Sequence, residues 1–339
     1  MSLYRLAFLG DGVVARALHS MLADRREALA REYGIDFVVV GIASRSLGWR
    51  AQTHGMPEDA RLAPDRGDMD AWLADAHADV MFEAIALDPH QGQPALSYIE
   101  RALERGVHVV SANKGPVVHG YRALRQIARR RRKSYRFESA VMDGAPVFSL
   151  ARECLPQAHL RGVRGVFTST ATIVLEAMEA GLSLSEGVLR AQQLGIAEAD
   201  PSYDVDGWDS VVKLCALANV VLHGDLRPAD VARTGLRALE VTEIRSAQAA
   251  GTPYRLVGEV SRGQAGRLSA QVRPLRCSPS DPLFGVTGTT LVTHFEADVF
   301  PGGLTITSRD PDPATTAYGM LADFIGIVRG AEGAQSGSS

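Results

Sequence analysis

The chain has 339 residues, enough for two domains, and its 46% hydrophobic and 22% charged content is ordinary for a globular protein. A formal net charge of −3 gives no basic excess for nucleic acid or a membrane surface, and no apolar run approaches the ~18–20 residues of a membrane span. Cys154, Cys215 and Cys277 are odd in number and far apart, which fits reduced thiols. With an N-terminus that lacks a signal-peptide layout, this points to a cytoplasmic protein.

The chain opens with a short apolar strand, Leu6-Ala7-Phe8-Leu9. A glycine turn, Gly10-Asp11-Gly12-Val13-Val14-Ala15, and a helical pattern over Arg16–Leu22 follow. The spacing G-x-G-x-x-A fits dinucleotide binding. Gly10 permits a tight turn, Gly12 lets the backbone approach a pyrophosphate, and Ala15 lets the helix sit close to the strand. The second strand, Phe37–Ala43, ends in Ser44-Arg45-Ser46 with Arg50 nearby. An acid there would hold the ribose hydroxyls of NAD, whereas a hydroxyl and a guanidinium suit a 2′-phosphate, so NADP is favoured with NAD as the alternative. Asp79–Ile85 and Val107–Ala112 read as further strands, the first followed by a helix over Gln93–Arg105. Strands alternating with helices predict a Rossmann-type doubly wound parallel sheet. Lys114 lies beyond the C-terminal end of a strand, where ligands of such sheets bind. A helix is predicted over Tyr121–Arg132, and its basic end, Arg129–Lys133, reads as a solvated terminus complementing the helix dipole.

The segment Ser139–Pro146 reads as a strand ending in a Gly/Pro loop and as a crossover into a second domain. There follow a strand from Val163, a helix over Ile173–Ala180, and a helix capped by Ser183 or Ser185 that stops at Gly195. Trp208–His223 reads as a buried helix, and residues 238–308 as alternating strands. The expected fold is therefore α/β, with a second α+β substrate and dimerisation domain. The boundaries are 1–140 for the nucleotide domain, 141–312 for the second, 313–330 for a helix packing back on the first, and 331–339 for a disordered tail.

Between these helices lies the segment richest in chemistry. Glu198, Asp200, Asp204, Asp206 and Asp209 precede Lys213, and Asp209 and Lys213 share a helix face at i,i+4. A charged pair on an otherwise apolar helix is costly unless used. Carboxylates can receive the ammonium and hydroxyl of a small amino acid. A lysine can donate a proton if burial or a second cation such as Lys114 tunes it.

These motifs, with Ser111-Ala112-Asn113-Lys114-Gly115-Pro116, Glu138–Pro146 and Gly195–Lys213, resemble the homoserine dehydrogenase family over nearly the whole chain. The resemblance implies NAD(P)-dependent interconversion of L-aspartate 4-semialdehyde and L-homoserine, a step toward threonine and methionine. It implies Lys213 as proton donor, Lys114 beside nicotinamide and substrate, and Glu198, Asp204 and Asp209 around the substrate. Cofactor contacts are implied for Gly10, Asp11, Gly12, Val13, Val14, Ser44, Arg45, Ser111 and Lys114. A sodium ion is implied on the loop carrying Glu138, Val141, Asp143 and Ala145, largely through backbone oxygens. A homodimer is implied, without a C-terminal regulatory domain. Three segments depart from the family pattern: Ala86-Leu87-Asp88 in place of a Thr-rich turn, Thr168–Ile173 in place of a polar loop, and Ser308–Asp312 in place of a glycine turn. These leave open a dehydrogenase of the same fold acting on another small hydroxy acid or aldehyde, and a non-catalytic nucleotide-binding protein.

Overall fold

The computed structural model describes residues 1–263 and 266–330 in full, and the backbone of 331–336. Uninterrupted apolar runs become strands buried on both faces, as parallel sheets require. The first unit is built from β1 (Ser2–Leu9), α1 (Val13–Asp24), α2 (Arg26–Tyr33), β2 (Ile35–Ser44), β3 (Gly48–Ala51), α3 (Met69–Ala76), β4 (Val80–Glu83), α4 (Ala95–Glu104), β5 (His108–Ser111), α5 (Lys114–Arg131) and β6 (Tyr135–Arg136). The strand order is β3-β2-β1-β4-β5-β6. All neighbours pair in parallel except β3, which closes the edge antiparallel to β2. The order reverses between β1 and β4, the switch point at which such sheets bind nucleotides.

The helix expected over Tyr121–Arg132 begins seven residues earlier, at Lys114. Asn113 caps it by accepting the Gly115 N–H, and Pro116 falls in the first turn, where a missing N–H is harmless. Lys114 is thus the first residue of a long helix. At the other end Arg130 and Arg131 pair with Glu104, as a solvated helix terminus would.

The second unit contains α6 (Val147–Ser149), β7 (Leu160–Val166), α7 (Ser169–Glu179), α8 (Leu184–Gln193), α9 (Ser202–Val205), α10 (Trp208–Val221), β8 (Ala232–Arg233), α11 (Val241–Ala249), β9 (Tyr254–Arg262), β10 (Leu268–Arg276), β11 (Leu291–Ala297) and β12 (Phe300–Ser308). Its sheet runs β12-β11-β7-β9-β10-β8 and is antiparallel but for the short β8. Helix α10 is buried on most of its faces: Val211, Val212, Leu214, Cys215, Leu217 and Ala218 are almost wholly covered.

The last helix, α12 (Pro313–Ser336), belongs to the first unit. Met320, Leu321 and Phe324 enter the core with Leu6, Phe8 and Phe82, and Phe324 meets Phe82 edge-on at 5.8 Å. The two units are Met1–Ala145 with Asp312–Ser339, and Pro146–Pro311. The chain therefore leaves the first unit at Pro146, past the boundary expected at residue 140. Helix α12 runs through Ser336, beyond the Ala331 at which a disordered tail was expected; residues 337–339 lie outside the described residues. Among the described residues no helix is long and apolar enough to cross a membrane.

Candidate active site

The C-terminal ends of β1, β2 and β4 border a cleft of ≈ 740 Å³. Its walls are Leu9–Gly12, Ala43–Ser46 and Ala84–Asp88, with Trp49 and Tyr98 beside them. Gly10 has φ +115°, and a Cβ there would stand 2.5 Å from the Ala84 carbonyl oxygen, so only glycine fits the turn. At Gly12 a Cβ would meet nothing within 4 Å, which leaves the backbone open toward the cleft. Helix α1 starts just after it, at Val13, and points its N-terminus the same way. These features fit a dinucleotide pyrophosphate.

At the end of β2, Arg45 and Ser46 are exposed, and Ser44 Oγ accepts the Leu47 N–H. Arg50, read beside them as a second cation, is occupied elsewhere: it donates to the carbonyls of Leu47 and Ala63. Asp11 pairs with Arg16 at 3.2 Å on the surface. Asp88 accepts the N–H groups of His90, Gln91 and Gln93, and so fixes the turn that departs from the family pattern. Ser111 is wholly buried, and its hydroxyl donates to Glu83 at 2.5 Å, which leaves only its main chain for the cofactor contact expected of it.

The loop after β6 is held against α12. Glu138 N–H donates to Asp323 at 2.7 Å and Ser139 Oγ to the Thr316 carbonyl at 2.6 Å. A Cβ on Gly144 would lie 2.1 Å from the Thr315 carbonyl, and Asp143 and Gly144 both have positive φ. Among the described residues no group of three or more His, Cys, Asp or Glu could hold a metal ion.

In the second unit, Lys213 Nζ lies 2.9 Å from Asp209 Oδ2, and both side chains are only 12% exposed. Nζ also donates to the Phe167 carbonyl at 2.7 Å, at the end of β7. Asp209 sits in the first turn of α10, where the helix dipole favours a carboxylate, and Gly207, φ +84°, makes the turn into that helix. Asp204 faces the same pair. Burial, and then the neighbouring Asp209, push its carboxyl up, while Thr170, Lys213 and Thr168 pull it the other way. Two carboxylates, one ammonium and two threonine hydroxyls thus converge in a largely buried place.

A family model described as the homoserine dehydrogenase NAD-binding domain matches residues 10–138, and one described as homoserine dehydrogenase matches residues 146–325. An NAD(+)-dependent homoserine dehydrogenase from Pseudomonas canavaninivorans is 35% identical, with 98% of each chain covered. The chain belongs to the homoserine dehydrogenase family. The homoserine dehydrogenase of Methanocaldococcus jannaschii is 28% identical, covering 95% of this chain and 98% of its own. A crystal structure from Archaeoglobus fulgidus, itself provisionally assigned as a homoserine dehydrogenase, superposes with a TM-score of 0.85 at 28% identity. It covers 96% of this chain and 99% of its own. As a member of the family the chain is an oxidoreductase that acts on a CH–OH group with a nicotinamide cofactor.

Within this chain the five acids before Lys213 separate. Asp204 and Asp209 converge on the lysine. Asp206 turns away to Arg237 at 2.7 Å, and Asp200 accepts the Ser202 N–H. Glu198 is exposed, and its main-chain carbonyl accepts from Gln192, so this fold does not bring it to the cluster by local structure. Thr168 and Thr170 were missed as site residues, because Thr168–Ile173 stood out only as a departure from the family's polar loop and the helix was expected to begin later, at Ile173. The usable signal was two threonines, two positions apart, directly after a predicted strand. In the other departing segments, Asp310 accepts from Thr289 at 2.8 Å and Asp312 caps α12 through the Thr315 N–H, so these charges shape turns.

Proposed function

We propose that this enzyme interconverts L-aspartate 4-semialdehyde and L-homoserine, with Lys213 carrying the proton. The observation that supports this is the nearly buried Asp209–Lys213 pair, with Asp204, Thr168 and Thr170 around it. Gly10–Val14 would hold the pyrophosphate and Ser44 and Arg45 the adenosine ribose. When bound, the nicotinamide supplies or accepts the hydride. Lys213 donates a proton to the carbonyl oxygen as it becomes an alkoxide, and takes it back in the oxidative direction. Asp209 keeps Nζ aimed and charged until that moment. Asp204 and the threonine hydroxyls receive the ammonium and polar groups of the amino acid, and Lys114 serves the substrate beside the nicotinamide. For the loop 138–145, main-chain oxygens at Glu138, Val141, Asp143 and Ala145 are a donor set that suits a hard cation, and we read it as a sodium site.

NADP is the reading from the residues, since Arg45 is an exposed guanidinium where NAD enzymes place an acid. NAD is the second reading, favoured by the NAD(+)-dependent relative at 35% identity. A homodimer is proposed on the family likeness, and sedimentation at twice the chain mass checks it. The deciding experiment for the reaction is steady-state turnover of aspartate semialdehyde with NADPH and NADH, and of homoserine with NADP and NAD. A kcat/KM within the usual ~10⁴–10⁸ M⁻¹s⁻¹ supports the substrate, and one orders of magnitude lower, beside faster turnover of another hydroxy acid, replaces it.

A further inference from the structure

Glu83 ends β4 and has no exposed surface. A carboxylate so placed costs folding energy unless it is needed, and an apolar residue would pack the strand as well. Burial pushes its carboxyl up, while Ser111, Ile85 and Asn113 pull it down. Oε2 accepts the Ser111 hydroxyl at 2.5 Å. Oε1 accepts the Ile85 N–H at 3.0 Å and the Asn113 carboxamide at 3.3 Å. Ser111 Oγ in turn accepts the Asn113 N–H at 3.0 Å. Asn113 is thus held from both its main chain and its side chain. Its remaining oxygen caps α5 through the Gly115 N–H at 3.0 Å, and the first residue of that helix is Lys114. One buried carboxylate therefore joins the end of β4, where Ile85 lines the nucleotide cleft, to the turn that aims Lys114.

We propose that Glu83 is a positioning residue: through Ser111 and Asn113 it fixes the first turn of α5 and with it the direction of Lys114. The proposal rests on the reading that Lys114 serves the substrate. Asn113 is a carboxamide whose two ends are indistinguishable by shape, and its cap needs the oxygen toward Gly115. Glu83 Oε1, at 3.3 Å, takes the nitrogen and favours that choice, with the Ile85 carbonyl a more distant second acceptor at 3.5 Å.

The test is a double-mutant cycle on the full-length enzyme, with kcat and KM measured for homoserine and for the nucleotide. Lys114→Ala alone must lower kcat/KM; if it does not, the reading of Lys114 fails and the proposal falls with it. Glu83→Leu should lower kcat at least tenfold in the wild-type background and less than twofold in the Lys114→Ala background. Glu83→Gln should remain within threefold of wild type, because its oxygen keeps the bonds from Ile85 and Asn113. Equal losses from Glu83→Leu in both backgrounds would mean a general structural role and would overturn the proposal while leaving Lys114 in place. If Glu83→Leu shows no cooperative thermal transition, Asn113→Ala takes its place in the cycle under the same criterion.

Discussion

Lys213 and Asp209 illustrate how a pair of residues can be read from spacing and still hold more than spacing says. The i,i+4 relation is a property of any helix, and most such pairs are solvated and contribute little. Here both side chains are nearly covered, and the ammonium has a second acceptor in the Phe167 carbonyl. Its direction is therefore fixed by two bonds, which suits the proton-donor role proposed for it. Lys213→Met keeps the aliphatic volume and removes the proton. We expect kcat to fall by about 10²–10⁴-fold with nucleotide affinity held within twofold, read by steady-state kinetics and fluorescence titration. An unchanged kcat would remove Lys213 from the chemistry. Arg45 gives the second prediction at this scale. Its guanidinium is exposed beside Ser44 and Ser46, so Arg45→Ala should raise KM for NADP at least tenfold and change KM for NAD less than threefold. Equal changes would mean that the arginine does not read a 2′-phosphate. Asp209 and Lys213 were legible in the sequence because charge on an apolar helix stands out, and Asp204 because it lies in the acidic run just before that helix. Glu83 was not, since a single acid inside the apolar run Asp79–Ile85 carries no local sign of the partners it has once buried.

Elements were legible where local chemistry and hydrophobic period agreed. Helix α8 is an example: a capping signal preceded a periodic run, with only the choice between Ser183 and Ser185 open. The structure selects Ser183, which accepts the Glu186 N–H while Glu186 Oε2 accepts the Ser183 N–H at 2.7 Å. Ser183→Ala should therefore lower stability by about 1 kcal/mol, and Ser185→Ala by only a few tenths, in parallel denaturant titrations. Similar losses for the two would mean that the box does not hold the helix start. Helix α5 shows the opposite case. Gly115-Pro116 looks like a turn, and residues read as a loop proved to be the first turn of a helix. Proline is tolerated there because the N–H it lacks would have had no intrahelical acceptor. That detail bears on the role proposed for Lys114, since it places the residue on a rigid element. The parallel sheet and the antiparallel one were legible from alternation alone. The order β3-β2-β1-β4-β5-β6 was not, because pairing between distant strands leaves little trace in local composition.

At the scale of the whole molecule, each of the two units carries its own buried ionisable groups, and acid acts on them in opposite senses. His108 in the first unit is driven down to about 4, chiefly by burial and then by Lys133, and its Nδ1 accepts the Ser134 N–H at 3.1 Å. A histidine held neutral in the fold but titrating near 6.5 when unfolded stabilises the protein above 6.5, and that stability is lost as pH falls from 6.5 toward 4. Glu83 in the first unit and Asp204 in the second have raised carboxyls, so the cost of burying their charge is relieved as pH falls through their folded values. The first unit is thus subject to both effects. Asparagine can replace the Nδ1 acceptor without titrating, so His108→Asn isolates the histidine. Between pH 7 and pH 5 the wild-type first unit should lose about 1–2 kcal/mol more than the variant, after allowance for partial exposure. Two of the three tryptophans, Trp49 and Trp72, lie in that unit, and Trp208 lies in the other. In a Trp208→Phe background, fluorescence-detected urea unfolding follows the first unit alone, which matters because units of one chain need not unfold together. Identical pH slopes with and without the His108→Asn substitution would show that the ring is not held neutral. A steeper slope for the protein that keeps His108 assigns the acid sensitivity of the nucleotide unit to that ring.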